Sequence, residues 1–157
     1  MDLRGKKIVV IGGAGLIGSH AVDLLTGEDV AEIVVYDNFT RGVRSNLAAA
    51  LRDPRVRVFE AGGDICQTDI LDAALKGADA VLHFAALWLL QCHDYPRAAF
   101  DVNIRGMFNV LEACVANAVE RLVYSSSASV YGDAVEEPMS VPVAAPASRS
   151  WPRCCCI

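Results

Sequence analysis

Short apolar runs alternate with amphipathic stretches along most of this chain. Continuous β-branched runs bounded by glycine or charge predict buried strands, and apolar residues three or four positions apart predict helices. The predicted strands lie within residues 6–13, 31–37, 55–61, 78–87 and 121–128. The predicted helices cover residues 16–27, 45–53, 69–77 and 96–118. This alternation predicts an α/β fold, a doubly wound parallel sheet of about five strands with helices on both faces.

The pattern stops near residue 139. The following stretch, "SVPVAAPASRSWPRCCCI" (140–157), contains three prolines, no acidic residue and neither a helical nor a strand period. Such a composition predicts coil. We therefore expect one domain over residues 1–139 and an irregular C-terminal tail over residues 140–157.

Composition narrows the possible partners. Hydrophobic residues make up 54% of the 157 residues and the net charge is −5, which argues against a nucleic-acid partner. No apolar run reaches the roughly 18 to 20 residues that a membrane span needs. The glycine-rich N-terminus predicts a buried strand rather than a signal peptide, so we expect a cytoplasmic protein with reduced thiols. The cysteines form no C-x-x-C pair, and no metal site is predicted.

A glycine triplet follows the first predicted strand and opens the first predicted helix. Gly12 allows a tight turn, Gly15 allows the backbone to approach a pyrophosphate, and Gly18 allows close packing of helix and strand. The helix N-terminus then offers unpaired N–H groups to phosphates. An acid, Asp37, ends the next strand about 20 residues further on, as a dinucleotide-binding fingerprint requires.

Asp37 also predicts which dinucleotide is bound. Its carboxylate can accept both hydroxyls of an adenosine ribose, whereas a 2′-phosphate there would meet like charge. NAD is therefore favoured over NADP. Arg41 and Arg44 lie nearby in sequence and weaken this preference slightly.

Six motifs in order, "GGAGLIG", "YDNFTRG", "GDI", "HFAA", "VNIRG" and "SSSASVYG", resemble the extended short-chain dehydrogenase/reductases. The resemblance covers about residues 5–139 and is greatest to NAD-dependent nucleotide-sugar epimerases and dehydratases. It implies a Rossmann-like fold, NAD as cofactor, a nucleotide-sugar substrate and hydride transfer at a sugar carbon.

The resemblance also implies a set of cofactor-binding residues near the ends of the strands. Residues after the first strand would contact the pyrophosphate, those after the second the ribose and those after the third the adenine. Residues after the fourth strand would line the channel under the middle of the cofactor, and the last ones would stand near the nicotinamide. In chain order the set is Gly12, Gly15, Leu16, Ile17, Gly18, Asp37, Asn38, Asp64, Ile65, Phe84, Ala85, Ala86, Asn103 and Ser125.

The catalytic part of the resemblance is incomplete. Ser127 would hydrogen-bond the sugar hydroxyl that is oxidised, but the family also uses a tyrosine with a lysine four residues later. No tyrosine here has that lysine, and Tyr131 is followed by Val135 at the required spacing. The substrate domain is also expected to be absent. The alternatives are a non-catalytic NAD(H)-binding module and an inactive truncated remnant.

Other interpretations stay open at single positions. Asp64 also suits a cap for the helix that follows, and Asn103 also suits packing inside a helix. His83 is expected to pack or to bond backbone. The residues Trp88, Leu89 and Leu90 suit either the core or the apolar wall of a substrate cleft. The fifth strand is expected to be a sheet edge, and association through helix 96–118 predicts a homodimer.

Overall fold

All five predicted strands are present, each shorter than its apolar run. The computed structural model describes residues 1–127 and the backbone of residues 155–156. The strands end early because the last residues of each run turn away into loops at the carboxyl edge of the sheet. In chain order the strands are β1 (Lys7–Ile11), β2 (Glu32–Tyr36), β3 (Val56–Val58), β4 (Ala80–His83) and β5 (Arg121–Tyr124).

The sheet has the order β3-β2-β1-β4-β5-β6, where β6 is the two-residue strand Cys155–Cys156. Every pairing is parallel. The expectation that β5 is an edge strand is wrong at its last two residues. Val123 and Tyr124 lie opposite Cys155 and Cys156, whose backbone supplies hydrogen-bond partners that an edge lacks.

The chain changes direction across the sheet at β1. From β1 it moves outward to β2 and β3, then crosses to the other side for β4 and β5. Ligands of open parallel sheets bind where the strand order reverses, outside the carboxyl ends of the strands. The crevice between the ends of β1 and β4 is that place in this sheet.

The predicted helices all lie at their predicted positions, but two of them differ from the predicted helix type. Residues 44–52 form two separate 3₁₀ turns, Arg44–Leu47 and Ala50–Arg52, where one short helix was predicted. The long predicted helix contains a π-helical segment, Phe100–Gly106, between two α-helical parts. An unpredicted short helix precedes it. The α-helices are α1 (Leu16–Thr26), α2 (Thr68–Leu75), α3 (Leu89–Asp94), α4 (Pro96–Ala99) and α5 (Met107–Ala116).

Helices cover both faces of the sheet. On one face Val9 of β1 belongs to a buried cluster with Leu71 of α2 and Val110 of α5. On the other face Val10 belongs to a second cluster with Val22 of α1. Alternate residues of one strand thus point into two cores, which explains why the strand sequences are apolar throughout. Within the described residues, no helix is both long and apolar enough to cross a membrane.

Candidate cofactor-binding site

The glycine triplet forms a tight turn at the carboxyl end of β1. Gly12 has a φ of +77°, and a Cβ placed there would lie 2.7 Å from the backbone nitrogen of Ala85. A Cβ at Gly18 would collide with the carbonyl oxygen of Gly12. The turn therefore needs glycine at both positions, because the backbones of β1, α1 and the loop after β4 approach closely here.

The amino end of α1 opens into the crevice. Gly15 is its N-cap, in an extended conformation, and no side chain caps the first turn. Leu16 and Ile17 are 76% and 62% exposed, so their side chains do not bury this end. The N–H groups of a first helical turn lack intrahelical partners, and together with the helix dipole they favour a phosphate.

Asp37 joins the glycine turn to the loop after β2. The carboxylate is nearly buried, accepting the Ala14 N–H at 2.8 Å on Oδ2 and the Phe39 N–H at 2.8 Å on Oδ1. A carboxylate has about four lone-pair sites, so these two bonds leave acceptor capacity for ribose hydroxyls. Asn38 is exposed beside it, and its Oδ1 accepts the N–H of Thr40.

The loop after β3 packs against the same place. A Cβ at Gly63 would collide with the carbonyl of Asp37, so glycine lets this loop touch the end of β2. The Oδ1 atom of Asp64 accepts the Cys66 N–H at 2.9 Å, which closes a local turn. The N-cap of α2 is Gln67, with no side-chain cap, so the interpretation of Asp64 as a helix cap is wrong.

Two buried polar side chains fix the loop after β3. The Tyr36 hydroxyl donates to the Asp64 carbonyl at 2.8 Å, and the Asn109 amide donates to the Ile65 carbonyl at 2.9 Å. The Ile65 side chain itself lies in the core. Burial raises the pKa of Tyr36 well above its usual range, with the Asp64 charge adding to the effect. Tyr36 therefore holds the loop and does not suit a base.

The loop after β4 forms the other wall of the crevice. The Phe84 N–H donates to the Ile11 carbonyl at 2.8 Å, which keeps this residue against β1. Ala85 is partly buried and Ala86 is exposed. The side chain of Asn103 binds this loop through both of its polar atoms: Oδ1 accepts the Leu87 N–H at 2.8 Å, and Nδ2 donates to the Leu87 carbonyl at 2.9 Å. Asn103 therefore holds the loop after β4 in place, in addition to packing inside its own helix.

His83 and the two serines lie where β4 and β5 end. His83 is 1% exposed, its ring centroid is 5.5 Å from that of Tyr124, and its carbonyl accepts the Ser125 N–H at 3.2 Å. Burial lowers the pKa of His83 to about 4, so it packs as a neutral ring. Ser125 and Ser127 follow β5, and both are exposed at the carboxyl edge. Tyr131 lies outside the described residues.

The remaining candidates near the crevice are surface residues. The Arg41 guanidinium carbon lies 5.2 Å from the centroid of the Trp88 ring. Trp88, Leu89 and Leu90 are 47%, 77% and 55% exposed, which excludes the core interpretation of these three residues. Arg44 bonds Glu60 and stacks on Phe39.

Sequence reasoning missed several residues that shape the site. Gly63 had a visible signal, because it is the glycine of the "GDI" motif directly before Asp64. Gly42 had the same kind of signal, because it is the glycine of the "YDNFTRG" motif, and a Cβ there would lie 2.8 Å from the Ala14 carbonyl carbon. Asn109 looked like any polar residue of a helix. Its role depends on Ile65, which is far away in sequence.

This arrangement suits a dinucleotide. The glycine turn keeps side chains out of the phosphate position, α1 points its free N–H groups at that position, and Asp37 can accept from a ribose. These features lie along one crevice at the point where the strand order reverses. The exposed serines after β5 could contact a substrate beside the reactive end of a cofactor.

Comparison with known proteins agrees with this geometry. Residues 8–150 match the family described as "NAD dependent epimerase/dehydratase family". UDP-glucose 4-epimerase of Lacticaseibacillus casei is 38% identical over 141 residues, which are 87% of this chain and 38% of that protein.

Two solved structures show the same fold. A dTDP-glucose 4,6-dehydratase from Streptomyces venezuelae, solved with NAD and TYD bound, superposes with a TM-score of 0.76 at 36% identity, covering 83% of this chain and 42% of that one. UDP-glucose-4-epimerase from Stenotrophomonas maltophila, solved with NAD and formylated UDP-arabinopyranose, superposes with a TM-score of 0.75 at 33% identity, covering 85% and 40%.

The chain thus spans about two fifths of the length of these relatives. Its matched region contains the strand order, the glycine turn and the acid after β2 that the sequence predicted for an NAD site. The chain belongs to the NAD-dependent epimerase/dehydratase family.

Proposed function

We propose that this chain binds NAD and forms the cofactor-binding part of a nucleotide-sugar epimerase or dehydratase. The observation that carries the proposal is the position of Asp37, a nearly buried carboxylate bonded to the glycine turn and to its own loop. The epimerase and dehydratase relatives support a nucleotide sugar as the substrate class. NAD, when bound, supplies a hydride acceptor for a sugar carbon.

This chain's own residues support binding more than turnover. Ser127 would hydrogen-bond the sugar hydroxyl at the exposed end of β5. No tyrosine of the sequence has a lysine four residues later, and no lysine follows Lys76. A free tyrosine has a pKa near 10, and a neighbouring cation is what lowers it toward neutral pH. We therefore propose that this chain holds NAD without turning over sugar.

Calorimetric titration with NAD tests the binding, and incubation with UDP- or dTDP-hexoses tests the turnover. We expect binding by the parent and, for Asp37→Ala, a dissociation constant raised about tenfold or more, because charge-assisted hydrogen bonds are lost. Asp23→Ala removes the same charge from an exposed position of α1 and serves as the matched control. Asp37→Asn, which keeps an acceptor for one backbone N–H, separates lost binding from lost folding.

Three outcomes distinguish a cofactor-binding module, an active enzyme and an inactive remnant. Binding without turnover supports a cofactor-binding module. Epimerisation or dehydration would show that a base is present after all. No NAD binding by a folded parent, with Asp37→Ala and Asp23→Ala behaving alike, would contradict the cofactor assignment and favour an inactive remnant.

We also propose that two copies associate through helix 96–118. Phe100, Ile104, Phe108 and Val115 are between 56% and 61% exposed along this helix, a run of apolar surface that a second copy would cover. Sedimentation at increasing concentration should show dimers, and Phe108→Glu should shift them to monomers. Leu24→Glu, at a 76% exposed position of α1, is the control. A parent that stays monomeric at high concentration would contradict this interface.

In the part of the chain that the structure describes, Cys66 and Cys92 are free thiols. Free thiols favour a reducing compartment, which supports a cytoplasmic location. Fractionation of the producing cells tests this placement, and recovery of the chain outside the cytoplasm would contradict it.

A further inference from the structure

Two carboxylates end neighbouring strands at the adenosine side of the crevice. Asp37 follows β2, and Glu60 follows β3 two residues after its last strand residue. Val35 lies opposite Val58, and the Phe59 N–H donates to the Val35 carbonyl at 2.9 Å, so the parallel pairing continues past the end of β3. Glu60 lies in the turn that follows, and the same loop returns at Gly63 to the end of β2, where a Cβ would collide with the Asp37 carbonyl.

Arg44 is a cation in this part of the fold, and its guanidinium forms an ion pair with Glu60. Its Nη2 donates to both carboxylate oxygens of Glu60, at 3.1 and 3.0 Å. Its guanidinium carbon also lies 5.2 Å from the centroid of the Phe39 ring. Phe39 is in turn tied to Asp37, which accepts its N–H. The ion pair is therefore anchored to the loop that carries the ribose-binding acid.

This arrangement bears on the choice between NAD and NADP. NADP carries a 2′-phosphate on the adenosine ribose, and proteins accommodate it with a nearby arginine. Arg44 lies over Phe39, in the loop that carries Asp37, but Glu60 already takes its hydrogen bonds and offsets its charge. Arg41 is held elsewhere, over Trp88. Arg44, which stacks on the loop that carries Asp37, is therefore already paired with a carboxylate.

We propose that Glu60 determines cofactor specificity by acting through Arg44. By pairing with Arg44 beside Asp37, Glu60 keeps the adenosine pocket selective for NAD and withholds a cation from a 2′-phosphate. Glu60 is a positioning residue in this account, because Arg44 is the group that would touch the phosphate. The inference rests on the proposed NAD binding.

Titration of the parent and of Glu60→Gln with NAD and with NADP tests the inference. We expect Glu60→Gln to bind NADP about three- to tenfold more tightly than the parent, the range that an exposed ion pair and a freed charged donor support. NAD affinity should change less than about twofold, because hydroxyls need no cation. The gain for NADP should shrink at high salt. The double variant Glu60→Gln/Arg44→Ala should lose it.

Glu28→Gln is the matched control, because it removes the same charge from an exposed position just after α1. Equal gains for NADP in both glutamine variants would show an effect of net charge alone and overturn the inference. So would a gain that persists in the double variant, or an unchanged ratio of NADP to NAD affinity in Glu60→Gln. A folded parent that does not bind NAD would overturn the proposed function itself, which is a separate result.

Discussion

Gly12 and Gly77 share nearly the same left-handed backbone, with φ angles of +77° and +70°, but their surroundings differ. A Cβ at Gly12 would lie 2.7 Å from the Ala85 nitrogen, whereas a Cβ at Gly77 would meet nothing within 4 Å. Comparing the two positions distinguishes two reasons why a site requires glycine. At Gly77 the reason is the backbone conformation alone, and at Gly12 the close approach of the β4 loop is added.

Alanine at these two positions should therefore have unequal effects. Gly77→Ala should lower the free energy of unfolding by about 1 kcal/mol, the usual cost of a left-handed non-glycine residue. Gly12→Ala should lower it by about 3 kcal/mol or more, because the new methyl group would also collide with the backbone of the loop after β4. Urea unfolding measures both values. Equal losses would contradict the close approach at Gly12.

The same substitutions should differ in cofactor binding. Gly12→Ala moves the turn that faces the phosphate position, so NAD affinity should fall at least tenfold, about 1.4 kcal/mol or more. Gly77→Ala, at the end of α2, should leave NAD affinity near that of the parent. Fluorescence or calorimetric titration at a temperature where both variants are folded measures the difference. Weak binding in Gly77→Ala as well would point to general destabilisation.

Among the elements, the long helix departs furthest from its predicted form. Periodicity predicts one regular helix over residues 96–118, but the segment Phe100–Gly106 is π-helical. Two tertiary contacts belong to this segment. Asn103 bonds both backbone groups of Leu87, and a Cβ at Gly106 would lie 2.6 Å from the Ile65 side chain. π-Helical turns concentrate at functional sites, and this one touches two walls of the cofactor crevice.

Replacing Asn103 tests whether this segment orders the β4 loop. Asn103→Leu leaves the Leu87 N–H and carbonyl without these partners and should lower the free energy of unfolding by about 2 kcal/mol. Hydrogen exchange of the Leu87 amide should accelerate in this variant. The Phe84 amide, which donates to Ile11, is the internal reference and should stay protected.

Asn103→Asp is the matched substitution at this position. Its carboxylate can still accept the Leu87 N–H but cannot donate to the Leu87 carbonyl. Protection of the Leu87 amide should therefore survive in Asn103→Asp while stability falls. If Leu87 stays protected in Asn103→Leu, the side chain of Asn103 does not order the loop.

The elements also show what local sequence can and cannot predict. The strands were found because each is a continuous apolar run covered on both faces, a local signal that parallel sheets impose. The 3₁₀ turns at Arg44–Leu47 and Ala50–Arg52 were predicted as one helix. Asn46 shows why: its amide donates to the Ala14 carbonyl at 2.9 Å, a bond to another loop that interrupts regular winding. Bonds between distant segments leave no period in the sequence.

For the molecule as a whole, the carboxyl edge of the sheet gathers the candidate site from five loops. The glycine turn and Asp37 were predictable because their fingerprint has fixed spacing along the chain. The ion pair of Arg44 with Glu60 was not, because the pairing of β2 with β3 brings the two residues together. Residues proposed to select between NAD and NADP are therefore visible in the fold but not in the sequence motif.

His83 lies at the centre of this edge, and its charge state affects the stability of the whole chain. It is 1% exposed, and its Nδ1 has no hydrogen-bond partner among the described residues. Burial lowers the pKa to about 4 in the folded chain, whereas an unfolded histidine titrates near 6.5. Above pH 6.5 both states are neutral. As the pH falls from about 6.5 to about 4, the unfolded chain binds the proton first, so stability is lost in that window and levels off below it.

Urea unfolding at pH 7 and pH 5 measures this loss. The linkage relation gives His83 a contribution of about 2 kcal/mol to the difference between the two pH values. His83→Gln, which cannot take up a proton, should show a pH-dependent loss smaller than that of the parent by this amount, whatever its stability at pH 7. His20→Gln, which removes an exposed histidine of α1, is the matched control. Because the carboxylates titrate alike in all three chains, an equal loss in the parent and in His83→Gln would show that His83 does not remain neutral through burial.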